Sequence, residues 1–119
     1  MLIIRKEQME ALEQAVLEGF EDRMVVHLQG FFPGRCAELG DDGMREMVRY
    51  GMERAKSYGI VNELDVCRYI DLMIFFGRDF DTDPETPWAG RILSMESLTD
   101  PTAKIDRLYE EEMKKLGKP

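Results

Sequence analysis

Apolar side chains recur at every third or fourth position along most of this chain, and glycine or proline interrupts the pattern at intervals. The longest such stretch runs from residue 6 to about residue 30, and its apolar positions are Met9, Leu12, Val16, Phe20, Met24, Leu28 and Phe31. Side chains at this spacing share one face of an α-helix, whereas a half-buried strand would need strict alternation. The stretch is therefore predicted to be a helix. Its opposite face carries the acidic residues Glu7, Glu10, Glu13, Glu18 and Glu21.

Helix breakers place the next two helical segments. Phe32-Pro33-Gly34 ends the first helix, because the residue before a proline avoids helical geometry. A short helical turn is predicted over 35–39, where Gly40 stops it. A longer helix over 43–58 ends before Gly59, which suits the left-handed residue that follows many helices. The inner face of this helix is formed by Met44, Met47, Val48, Gly51, Met52 and Ala55.

The segment 63–77 is predicted to be the central, buried helix. Asn62 caps its start, and Asp65 three residues later resembles a variant of the capping box. Its apolar residues extend nearly all round the cylinder, which is typical of the most buried helix of a bundle. A short buried strand over 72–76 is the alternative, although the sequence offers no partner strand.

Two pairs of a capping residue followed by proline mark the last helices. Thr86-Pro87 precedes a short helix that contains Trp88, and Asp100-Pro101 precedes a helix over 102–116. A polar connection separates the segment 94–119, which is predicted to carry a peripheral helix that docks on its own domain, on a second copy or in a partner's groove. Together these patterns predict an all-α fold, a single-domain bundle over 1–119 with four to six helices.

The charge balance argues against nucleic acid and membranes as partners. The chain has 24 acidic and 16 basic residues, for a net charge of −8. Nucleic-acid-binding domains concentrate cations to displace phosphate counterions, and anionic membranes attract basic segments. The Lys and Arg residues are scattered among acids here, so we expect neither partner. Net acidity fits a protein partner with a basic face, and it also keeps a protein in solution.

Cysteine content and the N-terminal residues indicate a cytoplasmic protein. Cys36 and Cys67 form neither a CxxC motif nor a Cys/His pattern, so both are expected to be reduced and buried. Residues 1–6 lack the long apolar core of a signal peptide. The longest apolar run, 72–76, is too short to cross a bilayer.

No cluster of residues predicts catalysis, a metal site or a cofactor. The loop 79–83 alternates aspartates as calcium loops do, but Pro84 stands where the sharp turn needs glycine and Gly90 where the last carboxylate belongs. We therefore interpret it as a solvated capping loop. His27, the only histidine, has neither a nucleophile motif nor a metal-binding motif near it, which favours a structural role over that of a general base.

Four residues are the best candidates for contact with a partner protein: Trp88, Leu108, Tyr109 and Met113. Tryptophan is favoured in binding hot spots. The other three residues lie on the last helix, whose apolar stripe is thin. A place in the core is the alternative for Trp88, because a lone tryptophan often fills the edge of a core.

Several short sequence motifs within residues 1–93 together carry a resemblance to a known group of proteins. They are Phe20-Glu21-Asp22-Arg23-Met24, His27-Leu28, Phe31-Phe32-Pro33, Tyr58-Gly59-Ile60, Asp65-Val66-Cys67-Arg68-Tyr69-Ile70, Phe76-Gly77-Arg78-Asp79-Phe80-Asp81 and Pro87-Trp88-Ala89. Together they resemble a group of small uncharacterised bacterial proteins encoded beside type VI secretion spike and effector genes. The resemblance brings no catalytic residues with it. It implies an accessory protein that acts on a secreted effector, a toxin or a spike protein.

We therefore expect a non-enzymatic, protein-binding accessory factor: an adaptor, a chaperone or an immunity protein of a bacterial secretion system. Two alternatives stay open. One is a small hydrolase that uses His27 and carboxylates, and the other is a homo-oligomeric structural protein that associates through its last helix.

Overall fold

A computed structural model describes residues 6–95 and 97–116, with side chains for 15–95 and 97–114. The described residues form five α-helices and no strand: α1 (Lys6–Phe31), α2 (Pro33–Ser57), α3 (Glu63–Phe76), α4 (Pro87–Leu93) and α5 (Pro101–Leu116). The predicted all-α fold class is confirmed. The strand alternative for 72–76 is wrong, because these residues lie within α3. No helix in the described part of the chain has the length and apolar character needed to cross a membrane.

The chain divides into two compact units, Met1–Val48 and Arg49–Pro119, with the boundary inside α2. The single domain expected over 1–119 stays a prediction. Each unit contains helices whose ends follow from the local sequence.

The stripe predicted for α1 is correct for Phe20, Met24 and Leu28 and wrong for Val16 and Phe31. The described side chains of α1 that are buried are Phe20, Glu21, Met24, Val25 and Leu28. Val16 and Phe31 are 62% and 72% exposed. The buried face is thus turned towards Glu21 and Val25, which share it with Met24 and Leu28 at helical spacing. Met9, Leu12 and the glutamates before residue 15 lie outside the residues whose side chains are described.

Glu21, expected on the outer face of α1, is instead buried beside an arginine. Its carboxylate lies 3.3 Å from Nη1 of Arg45, which also contacts Asp22 at 2.8 Å. Nε of the same guanidinium donates to Asp41 at 3.1 Å. The three carboxylates raise the pKa of Arg45, so the guanidinium keeps its charge. Glu21 and Arg45 are 24 positions apart in the sequence, and their ion pair permits a carboxylate in the buried face of α1.

Proline and glycine delimit α2 at or near the predicted positions. The helix starts at Pro33, whose missing N–H costs nothing in the first turn. Gly40 breaks it with φ 72° and ψ 172°, so a short helix precedes the kink and a longer one follows it. The second part ends at Ser57, and Gly59 has the predicted left-handed conformation with φ 80°.

In the second unit, α3 is the central helix, as predicted. It packs against α5, and Phe76 at its end makes an edge-to-face contact with Trp88 of α4 at 5.2 Å between ring centroids. The last turns of α2 come very close to α3 at Gly51. A Cβ atom on Gly51 would lie 2.6 Å from Cγ1 of Ile70 and 2.8 Å from Sδ of Met73. Only glycine permits this approach of the two helices.

The start of α3 confirms one predicted cap and corrects the other. Oδ1 of Asn62 accepts hydrogen bonds from the backbone N–H groups of Leu64 at 2.9 Å and Asp65 at 3.4 Å. The Asp65 side chain, expected to complete a capping box, faces α5 and accepts a hydrogen bond from Oγ1 of Thr102 at 2.6 Å. Asp65 therefore connects two helices, which its position in the sequence does not reveal.

Candidate functional site

The C-terminal helix docks on its own unit. Ile105 and Leu108 of α5 are fully buried, and the helix packs against both α3 and α4. Nζ of Lys104 also reaches the carbonyl oxygen of Tyr58 at 3.4 Å. The helix was expected to dock on its own domain, on a second copy or in a partner's groove. The inner face of α5 docks on its own chain. On the outer face of this helix, Met113 is exposed.

The outer side of α5 forms an open groove of about 580 Å³ with α3. The groove is lined by Arg68, Asp106, Tyr109, Glu110, Met113 and Lys114. Two of the four predicted binding residues, Tyr109 and Met113, are among them. Met113 is 68% exposed, whereas Tyr109 is half-buried. We call this surface the α5 groove.

Arg68 of α3 fixes the position of the aromatic ring in the α5 groove. Its guanidinium lies 4.8 Å from the ring centroid of Tyr109, a distance at which the cation and the π-face attract. The Tyr109 hydroxyl donates to the carbonyl oxygen of Arg68 at 2.9 Å. Nη2 of Arg68 also contacts Oδ1 of Asp106 at 2.9 Å. These three contacts hold Arg68, Tyr109 and Asp106 in one arrangement.

Titratable groups near Tyr109 have raised pKa values. Burial raises the pKa of Tyr109, and the charge of Asp71 adds to the effect. Burial also raises the pKa of the Cys67 thiol to about 11, again with a contribution from Asp71. The pKa of Glu112 is raised by burial first and by Asp71 second. A thiol with such a pKa is protonated at neutral pH, so Cys67 is not an activated nucleophile.

Both cysteines are free thiols, which agrees with the predicted reduced state. Cys36 is buried, as expected, but Cys67 is only half-buried.

Trp88 and Leu108 are buried in this structure, and their selection as binding residues stays a prediction. Trp88 is 6% exposed, and its ring packs on Phe76. Leu108 is 0% exposed, because it follows Ile105 by three positions and shares its inner face of α5. The core alternative considered for Trp88 is thus the observed one.

The acidic loop is only partly solvated, because one of its aspartates is buried. The Asp81 side chain is 0% exposed, and its Oδ2 contacts Nη2 of Arg54 and accepts from the Tyr58 hydroxyl at 2.6 Å. The hydroxyl of Tyr50 bonds to Asp79, which is exposed. The two aspartates thus point to different partners on α2 and its C-terminal turn, and they do not converge on a common cation site. Arg54, which is 27 positions away in the sequence, provides the positive charge that allows the Asp81 carboxylate to be buried.

His27 is a half-buried residue of α1 in the first unit. Its ring lies 4.8 Å from that of Phe31, one helical turn later, at an interplanar angle of 40°. This contact fits the structural role preferred for His27. The hydrolase alternative stays a prediction.

Sequence reasoning missed Arg68 and Arg54, the two cations that organise the groove and the buried loop. The one available signal was that each is an arginine within a predicted helix. Long side chains of this kind often bury their stems while the charged end finds a partner. Which acid becomes the partner depends on the packing of helices far apart in sequence.

Comparisons of the chain with models of protein families, with curated proteins and with solved structures found no match.

Proposed function

We propose that this chain is a non-enzymatic accessory protein that binds another protein through the α5 groove. The observation that carries the proposal is Met113, which is 68% exposed beside the Tyr109 ring in a groove of about 580 Å³. A single exposed apolar residue is common on protein surfaces, so Met113 supports the proposal because it shares a groove with an aromatic ring.

The composition of the groove supports a protein as the ligand. Tyrosine, methionine and arginine are enriched at protein interfaces, where they supply contact area and directed hydrogen bonds. The flexible thioether of Met113 adapts to a partner's surface. Arg68, Asp106, Glu110 and Lys114 surround it with charges of both signs, which is the pattern of a polar rim.

The kind of partner follows from the resemblance of residues 1–93 to proteins encoded beside type VI secretion genes. The partner would be a secreted effector, a toxin or a spike protein, met in the cytoplasm before export. The chain would act on it as an adaptor, a chaperone or an immunity protein. The net charge of −8 favours a partner with a basic face.

A pull-down from the native host with three forms of the chain tests the proposal. The wild type should recover one partner protein, and Met113→Asp should lose it, because a carboxylate cannot occupy an apolar contact without a hydrogen-bond partner. Val61→Asp is the matched control, since Val61 is 73% exposed in the same unit but outside the groove. Equal recovery by all three forms would show that binding, if present, uses another surface.

A second copy of the chain is the other occupant that the α5 groove could receive. Light scattering on the wild type and on Met113→Asp separates the two cases. A dimer that the substitution dissociates would favour the homo-oligomeric structural protein, whereas a monomer in both forms would leave the groove to a different protein.

A further inference from the structure

The methionines of this chain differ widely in exposure. The sequence contains nine, and the structure describes the side chains of all but Met1 and Met9. Met113 is 68% exposed and Met95 36%, whereas Met52 is half-buried. The others are at most 6% exposed, namely Met24, Met44, Met47 and Met73. Among the described side chains, Met113 is therefore the most exposed methionine.

An exposed thioether is open to two-electron oxidation by hydrogen peroxide. The sulfur attacks one oxygen of the peroxide, an S–O bond forms as the O–O bond breaks, and the other oxygen leaves as water with the proton of the first. The thioether becomes a sulfoxide, which methionine sulfoxide reductases convert back. The product is polar where the reactant was apolar, so the reaction changes what the side chain can contact.

Met113 lies where such a change affects a surface rather than the core. It follows Tyr109 by one helical turn on α5, so the two side chains share a face, and both line the α5 groove. The buried methionines differ in this respect, because a sulfoxide at Met73, for example, would have to fit into a packed interior at 0% exposure.

The cations of the α5 groove are engaged with carboxylates. Nη2 of Arg68 contacts Oδ1 of Asp106 at 2.9 Å, and Nζ of Lys114 contacts Oε1 of Glu111 at 3.3 Å. A sulfoxide oxygen on Met113 is a neutral acceptor, and it would have to compete with these charged acceptors for a donor. In the free chain it is hydrated instead, because the side chain is exposed.

The cost of oxidation consequently falls on binding and not on folding. A partner that covers Met113 removes water from the sulfoxide, and burial of a polar group without a hydrogen bond is unfavourable. The free chain keeps that group in water, so its folded state loses little. Oxidation therefore discriminates between the free and the bound forms of the groove, which is the requirement for a switch.

We propose that Met113 is a reversible oxidation site that closes the α5 groove to its protein partner. The inference rests on the proposed function of the groove. The oxidant is hydrogen peroxide, the product is the sulfoxide of Met113, and a methionine sulfoxide reductase restores the binding form.

Peptide mass mapping of the folded full chain after brief treatment with hydrogen peroxide tests the site itself. Met113 should oxidise before Met95 and on the order of tenfold faster than Met44 or Met73, because access of the peroxide follows exposure. In urea the rates should converge. Equal rates at Met113 and at the buried methionines of the folded chain would overturn the proposal.

The effect on binding is tested in the pull-down from the native host, with the tagged chain oxidised and freed of peroxide beforehand. The oxidised wild type should recover about tenfold less partner, since tenfold in affinity corresponds to only about 1.4 kcal/mol. Met113→Leu should recover the partner before and after treatment, because leucine is apolar and resists the peroxide. Met95→Leu should behave as the wild type.

The same experiment separates the switch from the proposed function. Full recovery by the oxidised wild type, or a loss in oxidised Met113→Leu, would overturn the switch and leave the groove as a binding surface. Undiminished recovery by untreated Met113→Asp, or no recovery by the untreated wild type, would instead overturn the proposed function and the switch with it.

Discussion

Oγ1 of Thr102 lies 2.6 Å from Oδ2 of Asp65, so the first turn of α5 donates a hydrogen bond to a carboxylate buried at the start of α3. The two residues are 37 positions apart. Asp65 is 3% exposed, and Arg68 is 3.6 Å from its other oxygen. This contact, together with the pairing of Arg68 and Asp106, determines where α5 lies on its unit and therefore where the groove forms.

Thr102→Val should lower the free energy of unfolding by about 1–3 kcal/mol, because it leaves a buried carboxylate oxygen without its donor. Urea unfolding measures the change. Thr99→Val is the control, since Thr99 is exposed in the connection before α5. Equal stability of the two variants would mean that the hydrogen bond does not hold α5 in place.

Gly51→Ala should destabilise the protein by about 1–3 kcal/mol, since the added methyl group overpacks the contact between α2 and α3. The new Cβ would lie 2.6 Å from Ile70 and 2.8 Å from Met73. Gly30→Ala should do the reverse and stabilise by up to about 1 kcal/mol, because alanine favours a helix over glycine and no atom lies within 4 Å of the new Cβ. Thermal unfolding of both variants should therefore give melting temperatures on opposite sides of the wild type.

Asp81→Asn should cost about 2–3 kcal/mol, because it removes the charge that the half-buried Arg54 guanidinium contacts. Asp79→Asn changes an exposed member of the same loop and should cost about 1 kcal/mol or less. Chemical unfolding compares the two. Similar losses in both variants would restore the interpretation of a solvated loop and would contradict the buried ion pair.

Stability should fall in alkaline solution as Tyr58 ionises. Burial, followed by its hydrogen bond to Asp81, raises the pKa of Tyr58 to about 12 from an ordinary value near 10. A raised pKa in the folded state means that the contribution is complete below pH 10 and is lost as the pH rises towards 12. Tyr58→Phe should therefore show a weaker loss of stability over this window.

The measurement for Tyr58 is unfolding free energy against pH, with tyrosinate absorbance of the folded protein followed in parallel. The other three tyrosines also have raised pKa values, for which burial is the first cause at Tyr69 and Tyr109, and a hydrogen bond to Asp79 at Tyr50. The folded protein should consequently show little tyrosinate below pH 10. An early rise in absorbance without unfolding would contradict the burial of these phenols.

The sequence by itself determined which segments are helical and where they end. Apolar spacing located α1 and α3, Asn62 marked the start of α3, and Gly40 and Gly59 marked a break and an end. These features depend on contacts between residues within about four positions of each other, namely the i to i−4 hydrogen bond and the capping bonds. Such contacts are present in the local sequence, so they can be predicted from it.

Only the tertiary structure decided which side of each helix is buried and which charges meet. Apolar spacing placed Val16 on the buried stripe and Glu21 on the opposite face, whereas Val16 is exposed and Glu21 is buried. It could not identify Arg54 as the partner of Asp81, 27 positions away, or place Leu108 in the core and Met113 outside it. The physical reason is that burial and ion pairing depend on the neighbouring helices, and a carboxylate becomes an interior residue only where packing brings a cation to it.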